Sequence, residues 1–177
     1  MKTAMWKAVV LVAGAAALAI AAPQGLEKVV PVKPHATFDR LRALVGEWEG
    51  TNGKGQPARI SYRLTSGGTM LLETLASKDP GGNISEMVTT YYLDGDKIMM
   101  THYCAGNTQP RMVATSTGGN EIQFMRKDVT NLPGRQWGAM RAMKLTLLGK
   151  DEITQTWTWQ QDGKDFPAEL FQFERKH

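Results

Sequence analysis

Ile153-Thr154-Gln155-Thr156-Trp157-Thr158-Trp159-Gln160 alternates two kinds of side chain without a break. Successive residues of a strand point to opposite faces, so Ile153, Gln155, Trp157 and Trp159 share one side and the threonines with Gln160 share the other. The first face is expected to be core and the second to meet solvent. This reading fixes the local structure as β and sets a phase against which the rest of the chain can be judged.

Working outward, the same period of two recurs over 46–53, 57–66, 69–77, 86–93, 96–104, 110–116, 121–127, 138–148, 152–160 and 168–175. The separators are turn residues: Gly67-Gly68, Asp79-Pro80-Gly81-Gly82, Asp94-Gly95, Gly118-Gly119-Asn120, Gly149-Lys150-Asp151 and Asp162-Gly163. Ten short strands joined mainly by hairpins predict an up-and-down meander. An open meander has two unpaired edges that invite aggregation, and closure removes both. The predicted fold is therefore all-β: an antiparallel up-and-down barrel of about ten strands, lipocalin-like, over residues 37–177. Asp128 to Trp137, with Pro133 and Gly134, reads as a long loop at a barrel mouth.

Before the first strand the period changes. Thr37 reads as a helix N-cap, and Phe38, Leu41, Leu44 and Val45 recur at the spacing of an apolar helix face until Gly46. This predicts one short N-terminal plug helix closing an end of the barrel. Residues 22–36, with Pro23, Pro31 and Pro34, have no hydrophobic period and read as an extended linker. Residues 1–21 read as a signal peptide: Lys2 and Lys7, then an uncharged Ala-rich run, then Ala19-Ile20-Ala21 with the small residues a signal peptidase accepts, so that cleavage leaves Ala22 first. The run is shorter than the ~20 residues that span a bilayer, and an uncleaved anchor is the alternative. Periplasmic or secreted localisation is expected, with no stable membrane span after cleavage.

The 177-residue chain has a net charge of +4, and loss of Lys2 and Lys7 leaves 19 basic against 17 acidic residues, a net +2. Arg59, Arg63, Arg126, Lys127 and Arg141 are scattered rather than clustered, so no nucleic-acid partner is expected. Cys104 is the only cysteine, which excludes an internal disulfide.

On 97–104, Ile98, Met100, His102 and Cys104 share a face. Glu73 stands alone among apolar residues between Leu71 and Leu75. Residues two apart on a strand are about 6.5 Å apart on one side, so His102 and Cys104 can reach one ligand. The bland alternatives are a hydrogen-bonded neutral core histidine and a cysteine serving as a small hydrophobe. Two ligands are too few for zinc, with Glu73 a third only if the fold brings it near, and no metal site or cofactor is expected. Glu73 and Arg111 are read either as a buried ion pair orienting a ligand's polar group or as a structural pair or rim charge. Trp157, on the inward face of its strand, joins His102, Cys104, Glu73 and Arg111 as a candidate ligand-binding residue. No Gly-x-Ser-x-Gly elbow and no phosphate loop is present.

Leu44-Val45-Gly46-Glu47-Trp48-Glu49-Gly50 resembles the Gly-x-Trp signature of calycin barrels, which include lipocalins, fatty-acid-binding proteins and nitrobindins. The series Ser66-Gly67-Gly68, Glu73-Thr74-Leu75, Glu86-Met87-Val88-Thr89, Tyr92-Leu93-Asp94-Gly95-Asp96, Thr101-His102-Tyr103-Cys104, Gln109-Pro110-Arg111-Met112, Thr130-Asn131-Leu132 and Trp157-Thr158 resembles a bacterial family of small exported proteins related to calycins and classed as a domain of unknown function. The resemblance implies a barrel and no established reaction. Gly138-Ala139-Met140-Arg141 departs from the Gly-His-Met-His segment expected there, which removes two imidazoles. The haem-ligating histidine that nitrobindins imply near the C-terminus is absent from 168–175.

Three functions fit these residues. The first is a carrier or sensor for a small hydrophobic or amphipathic molecule; the second is a hydrolase- or isomerase-like enzyme using His102 as acid or base with Glu73 or Arg111 as partner. The third is a filled barrel acting as a protein-interaction module. The volume inside the barrel discriminates among them.

Overall fold

The computed structural model describes residue 31 and residues 33–78 and 81–177. The signal-peptide segment 1–21 and residues 22–30 and 32 of the linker lie outside the described residues. One helix, α1 (Ala36–Arg42), precedes the strands β1 (Gly46–Asn52), β2 (Pro57–Thr65), β3 (Met70–Lys78), β4 (Ile84–Asp94) and β5 (Lys97–Tyr103). The chain continues through β6 (Gln109–Ser116), β7 (Glu121–Thr130), β8 (Ala139–Leu147), β9 (Glu152–Gln161), the two-residue β10 (Lys164–Asp165) and β11 (Glu169–Arg175).

Every strand from β1 to β9 pairs antiparallel with the next, β9 pairs with β11, and β11 returns to β1. This is a closed ten-strand up-and-down barrel, with β10 as an addition. The Asp162-Gly163 hairpin turn has both residues at positive φ, 49° and 74°, as a type I′ turn requires. Its return strand is interrupted: β10 pairs with Gln160 and Gln161, and β11 resumes opposite Trp157. Pro167, which has no N–H to give to a ladder, lies in the gap.

Closure depends on Gly50. It faces Phe173 across β1–β11, and a Cβ there would come 1.8 Å from the Gln172 carbonyl oxygen. Arg175 then staples the seam. Its guanidinium lies 4.2 Å from the Trp48 ring centroid and donates to the carbonyls of Ala43 and Val45 and to the Asp151 carboxylate.

The helix plugs one end, as the apolar spacing predicts, with different limits. His35, not Thr37, is the N-cap: its Nδ1 accepts from the Phe38 amide, which moves the start two residues back and leaves Thr37 buried inside the helix. The helix stops at Arg42, so Phe38, Leu41 and Leu44 are buried but Val45 is 42% exposed. Side chains of the helix and its cap bond three hairpin turns at the same end. Arg42 donates to Gly68 O, Arg40 to Thr117 O, and His35 Nε2 lies 3.3 Å from Asp96 O. The opposite end is formed by the loops β1–β2, β3–β4, β5–β6, β7–β8 and β9–β11. The β7–β8 loop is shorter than the sequence suggests, because β7 runs on to Thr130.

Candidate functional site

Ladder register sets a polar row across the inner wall. Tyr62 pairs with Glu73, Glu73 with Thr89 and Thr89 with His102, so the four stand abreast on β2, β3, β4 and β5. Inward phase on each strand buries them all.

Glu73 is the centre of the row. Its Oε2 accepts from the Tyr91 hydroxyl at 2.8 Å and from Gln155 Nε2 at 2.8 Å, and the Tyr62 and Thr89 hydroxyls stand beside the carboxyl and favour its charged form. Burial pushes this carboxyl above the usual carboxylate range, and the polar groups around it offset part of that push. The Tyr62 and Tyr91 hydroxyls are also driven up, by burial first and then by the Glu73 charge.

Two contacts bridge the lumen. Gln155, on β9, donates to the Tyr62 hydroxyl as well as to Glu73, and its Oε1 accepts from Trp157 Nε1 at 2.8 Å. Higher up, the His102 and Trp157 rings meet with centroids 4.4 Å apart. The middle of the barrel is thus filled by its own side chains, together with Ile60, Leu71, Tyr91, Met100, Phe124 and Phe173.

His102 is 1% exposed, and burial lowers its pKa to about 4, so the imidazole is neutral near pH 7. Its Nδ1 shares a 2.9 Å hydrogen bond with Thr89 Oγ1. Among the described residues its Nε2 has no partner; the same holds for Glu73 Oε1 and Ser77 Oγ. Such orphans are uncommon in native interiors and call for an explanation.

Above His102 lies the open end. A cavity of about 230 Å³ is lined by Asn52, Ser77, Ser85, Met87, Ala105 and Met140, with Lys54, Lys78 and Glu169 as its charged residues. Met87 is one inward position nearer the opening than Thr89, and Thr89 faces His102. Trp157 pairs with the cavity-lining Glu169. His102 and Trp157 therefore lie one level below this mouth.

Of the five residues expected to form the site, His102, Glu73 and Trp157 come together in the lumen, linked through Thr89 and Gln155. Arg111 does not join them. The expected Glu73–Arg111 ion pair is replaced by a surface pair in which Arg111 bonds both Asp128 carboxylate oxygens, at 2.7 and 2.6 Å. The reason is phase: Arg111 is opposite Thr101 on the outer face, whereas Met112, opposite Met100, faces in. Cys104 lies just past the end of β5, and its Sγ accepts from the Gly106 amide. Burial raises its thiol pKa. Sequence reasoning missed Thr89, Gln155, Tyr62 and Tyr91 as a network, and Ser77, Met87 and Met140 as the mouth; inward phase alone could have named them.

Among the described residues, no group of three or more His, Cys, Asp or Glu is placed to hold a metal. The arrangement offers hydrogen bonding in an apolar chamber.

No protein-family model and no curated protein matches the chain. Among solved structures it is similar to a protein of unknown function of the DUF3598 family from Nostoc punctiforme, with a TM-score of 0.52 and 14% identity. The match covers 77% of this chain and 49% of that one, so this chain spans about half the length of that relative. A redesigned β-barrel matches at a TM-score of 0.41 and 12% identity, covering 77% of this chain and 94% of that chain. Another, mFAP1 in complex with DFHBI, matches at 0.39 and 13%, covering 76% and 96%. What the chain has in common with the Nostoc protein is the β-barrel fold.

Proposed function

We propose that this chain is an exported, calycin-related barrel that binds the polar end of a small amphipathic molecule at its open mouth. The observation that carries this reading is the His102 Nε2 atom, buried and unpartnered one level below the mouth cavity. Leaving such a group unmatched costs about 1–3 kcal/mol, and a ligand hydroxyl or carboxylic acid can remove that penalty. A neutral imidazole suits either, since one ring nitrogen donates and the other accepts.

The filled middle of the barrel sets the size of what enters. A cavity of about 230 Å³ is below the ~300–1,000 Å³ typical of drug-sized ligands, so only a head group fits inside. The tail would lie along the rim, where Ile84, Tyr103 and Phe166 are exposed. Acid–base catalysis is the weaker reading, because a pKa of about 4 is far from a neutral operating pH and Arg111 is on the outer wall. The packed lumen and apolar rim also favour a second reading, a filled barrel that docks a protein.

The test uses chain recovered from the periplasm, whose mass should correspond to a start at or near Ala22. Calorimetry and native mass spectrometry with fatty acids and quinones should find a ligand, and His102→Ala should weaken it by about 1–3 kcal/mol. An affinity unchanged in the variant reduces His102 to a core residue, and no amphiphile bound favours protein docking.

A further inference from the structure

We propose a second ligand site, separate from the mouth cavity, that takes a neutral pyranose ring between the β5–β6 and β7–β8 loops. A cavity of about 310 Å³ lies there, lined by Asn107, Thr108, Asn131, Trp137, Gly138 and Trp159 among others. That volume is at the low end for small-molecule pockets, and no residue lining it lines the mouth cavity.

The site is built rather than incidental. Trp159 is held against backbone at two glycines: a Cβ on Gly138 would come 2.1 Å from its indole nitrogen, and one on Gly106 would come 3.3 Å from its ring. The two loops are tied by a hydrogen bond from the Asn131 side-chain amide to the Asn107 carbonyl. Asn107 and Asn131 both adopt left-handed backbone, with φ of 61° and 58°, a conformation asparagine accepts more readily than other residues with a Cβ. Trp137 is 58% exposed, a large apolar surface left in water. Thr108 is only 3% exposed, yet its Oγ1 has no partner among the described residues.

The lining chooses the ligand class. Among the described residues, no charged side chain lines the cavity, which disfavours an anion or a cation. A planar aromatic ligand would stack on indole but leave the buried Thr108 hydroxyl without a partner. A pyranose has an apolar C–H face for the indole and a rim of hydroxyls that donate and accept, matching hydroxyl and amide groups.

The experiment is calorimetry and ligand-observed NMR on the full chain with glucose, N-acetylglucosamine, cellobiose, chitobiose and maltose. Wild type is compared with Trp137→Ala, Thr108→Val and His102→Ala. One or more of these sugars should bind. Trp137→Ala, at an exposed position, should weaken it about tenfold, equivalent to about 1.4 kcal/mol. Thr108→Val, of nearly equal volume, should weaken it several-fold without lowering the melting temperature. His102→Ala should leave sugar affinity unchanged, whatever it does to an amphiphile. No binding by any of the five below about 10 mM overturns the proposal. So does binding indifferent to Trp137→Ala, or binding lost with His102.

Discussion

Acid should destabilise this barrel through His102 in a way that can be isolated. The imidazole has an ordinary pKa near 6.5, and burial lowers it to about 4 in the folded chain. Between those values the unfolded chain binds a proton that the folded chain refuses, so stability falls as pH falls. The contribution is complete above pH 6.5 and lost progressively down to about pH 4. With 1.36 kcal/mol for each tenfold in proton affinity, the loss is about 3 kcal/mol, and the steepest slope is about 1.4 kcal/mol per pH unit. Glu73 acts with the opposite sign: its raised pKa makes stability fall as pH rises above the ordinary carboxyl value. The two are separated by subtracting a variant. His102→Gln keeps a polar group beside Thr89 but does not titrate in this range, and Glu73 is present in both proteins. Urea unfolding of each at intervals from pH 4 to pH 7.5 gives the difference curve. That difference should shrink by about 3 kcal/mol toward pH 4. Parallel curves would refute the argument, showing that water or a relaxed side chain solvates the imidazolium inside the barrel.

Two further predictions concern the seam and the polar row. Gly50→Ala puts a methyl 1.8 Å from the Gln172 carbonyl and must part β1 from β11, so it should cost about 3 kcal/mol or more in a thermal melt. Gly53→Ala, whose added Cβ meets backbone at an ordinary 3.4 Å, is the control that should cost far less. Glu73→Gln still offers an oxygen to the Tyr91 hydroxyl, whereas Glu73→Leu leaves Tyr91 and the Gln155 amide without that acceptor. Urea denaturation should therefore find the leucine variant less stable by about 1–3 kcal/mol for each stranded donor. A leucine variant as stable as the glutamine one would mean that these donors find water.

The sequence made the barrel legible because its signal is redundant. Alternation in Ile153–Gln160 assigns most of the inner face of β9: Ile153, Gln155 and Trp157 are buried, whereas Trp159, expected beside them in the core, is only half-buried and lines the loop cavity. The same rule places Leu71, Glu73 and Leu75 inside β3, and Ile98, Met100 and His102 inside β5. It is also the rule that should have excluded Arg111, since a residue between Pro110 and Met112 with the opposite phase faces out. Helix limits were less legible, because a cap depends on one side chain's local hydrogen bond, and here the His35 ring takes the place of the Thr37 hydroxyl.

Period and turn chemistry by themselves determined the strands, their antiparallel order and the inward set, because those properties are local and repeat ten times over. Which inward residues meet depended on closure. Glu73 and Gln155 are 82 positions apart, and His102 and Trp157 are 55 apart. Nothing along the chain encodes that distance. It arises when β11 pairs with β1 and brings β9 round to face β3 and β5, so that side chains from opposite walls fill the lumen between them. The filled centre, the shallow mouth above His102 and the loop pocket at Trp137 are consequences of that closure, and only the tertiary structure decided them.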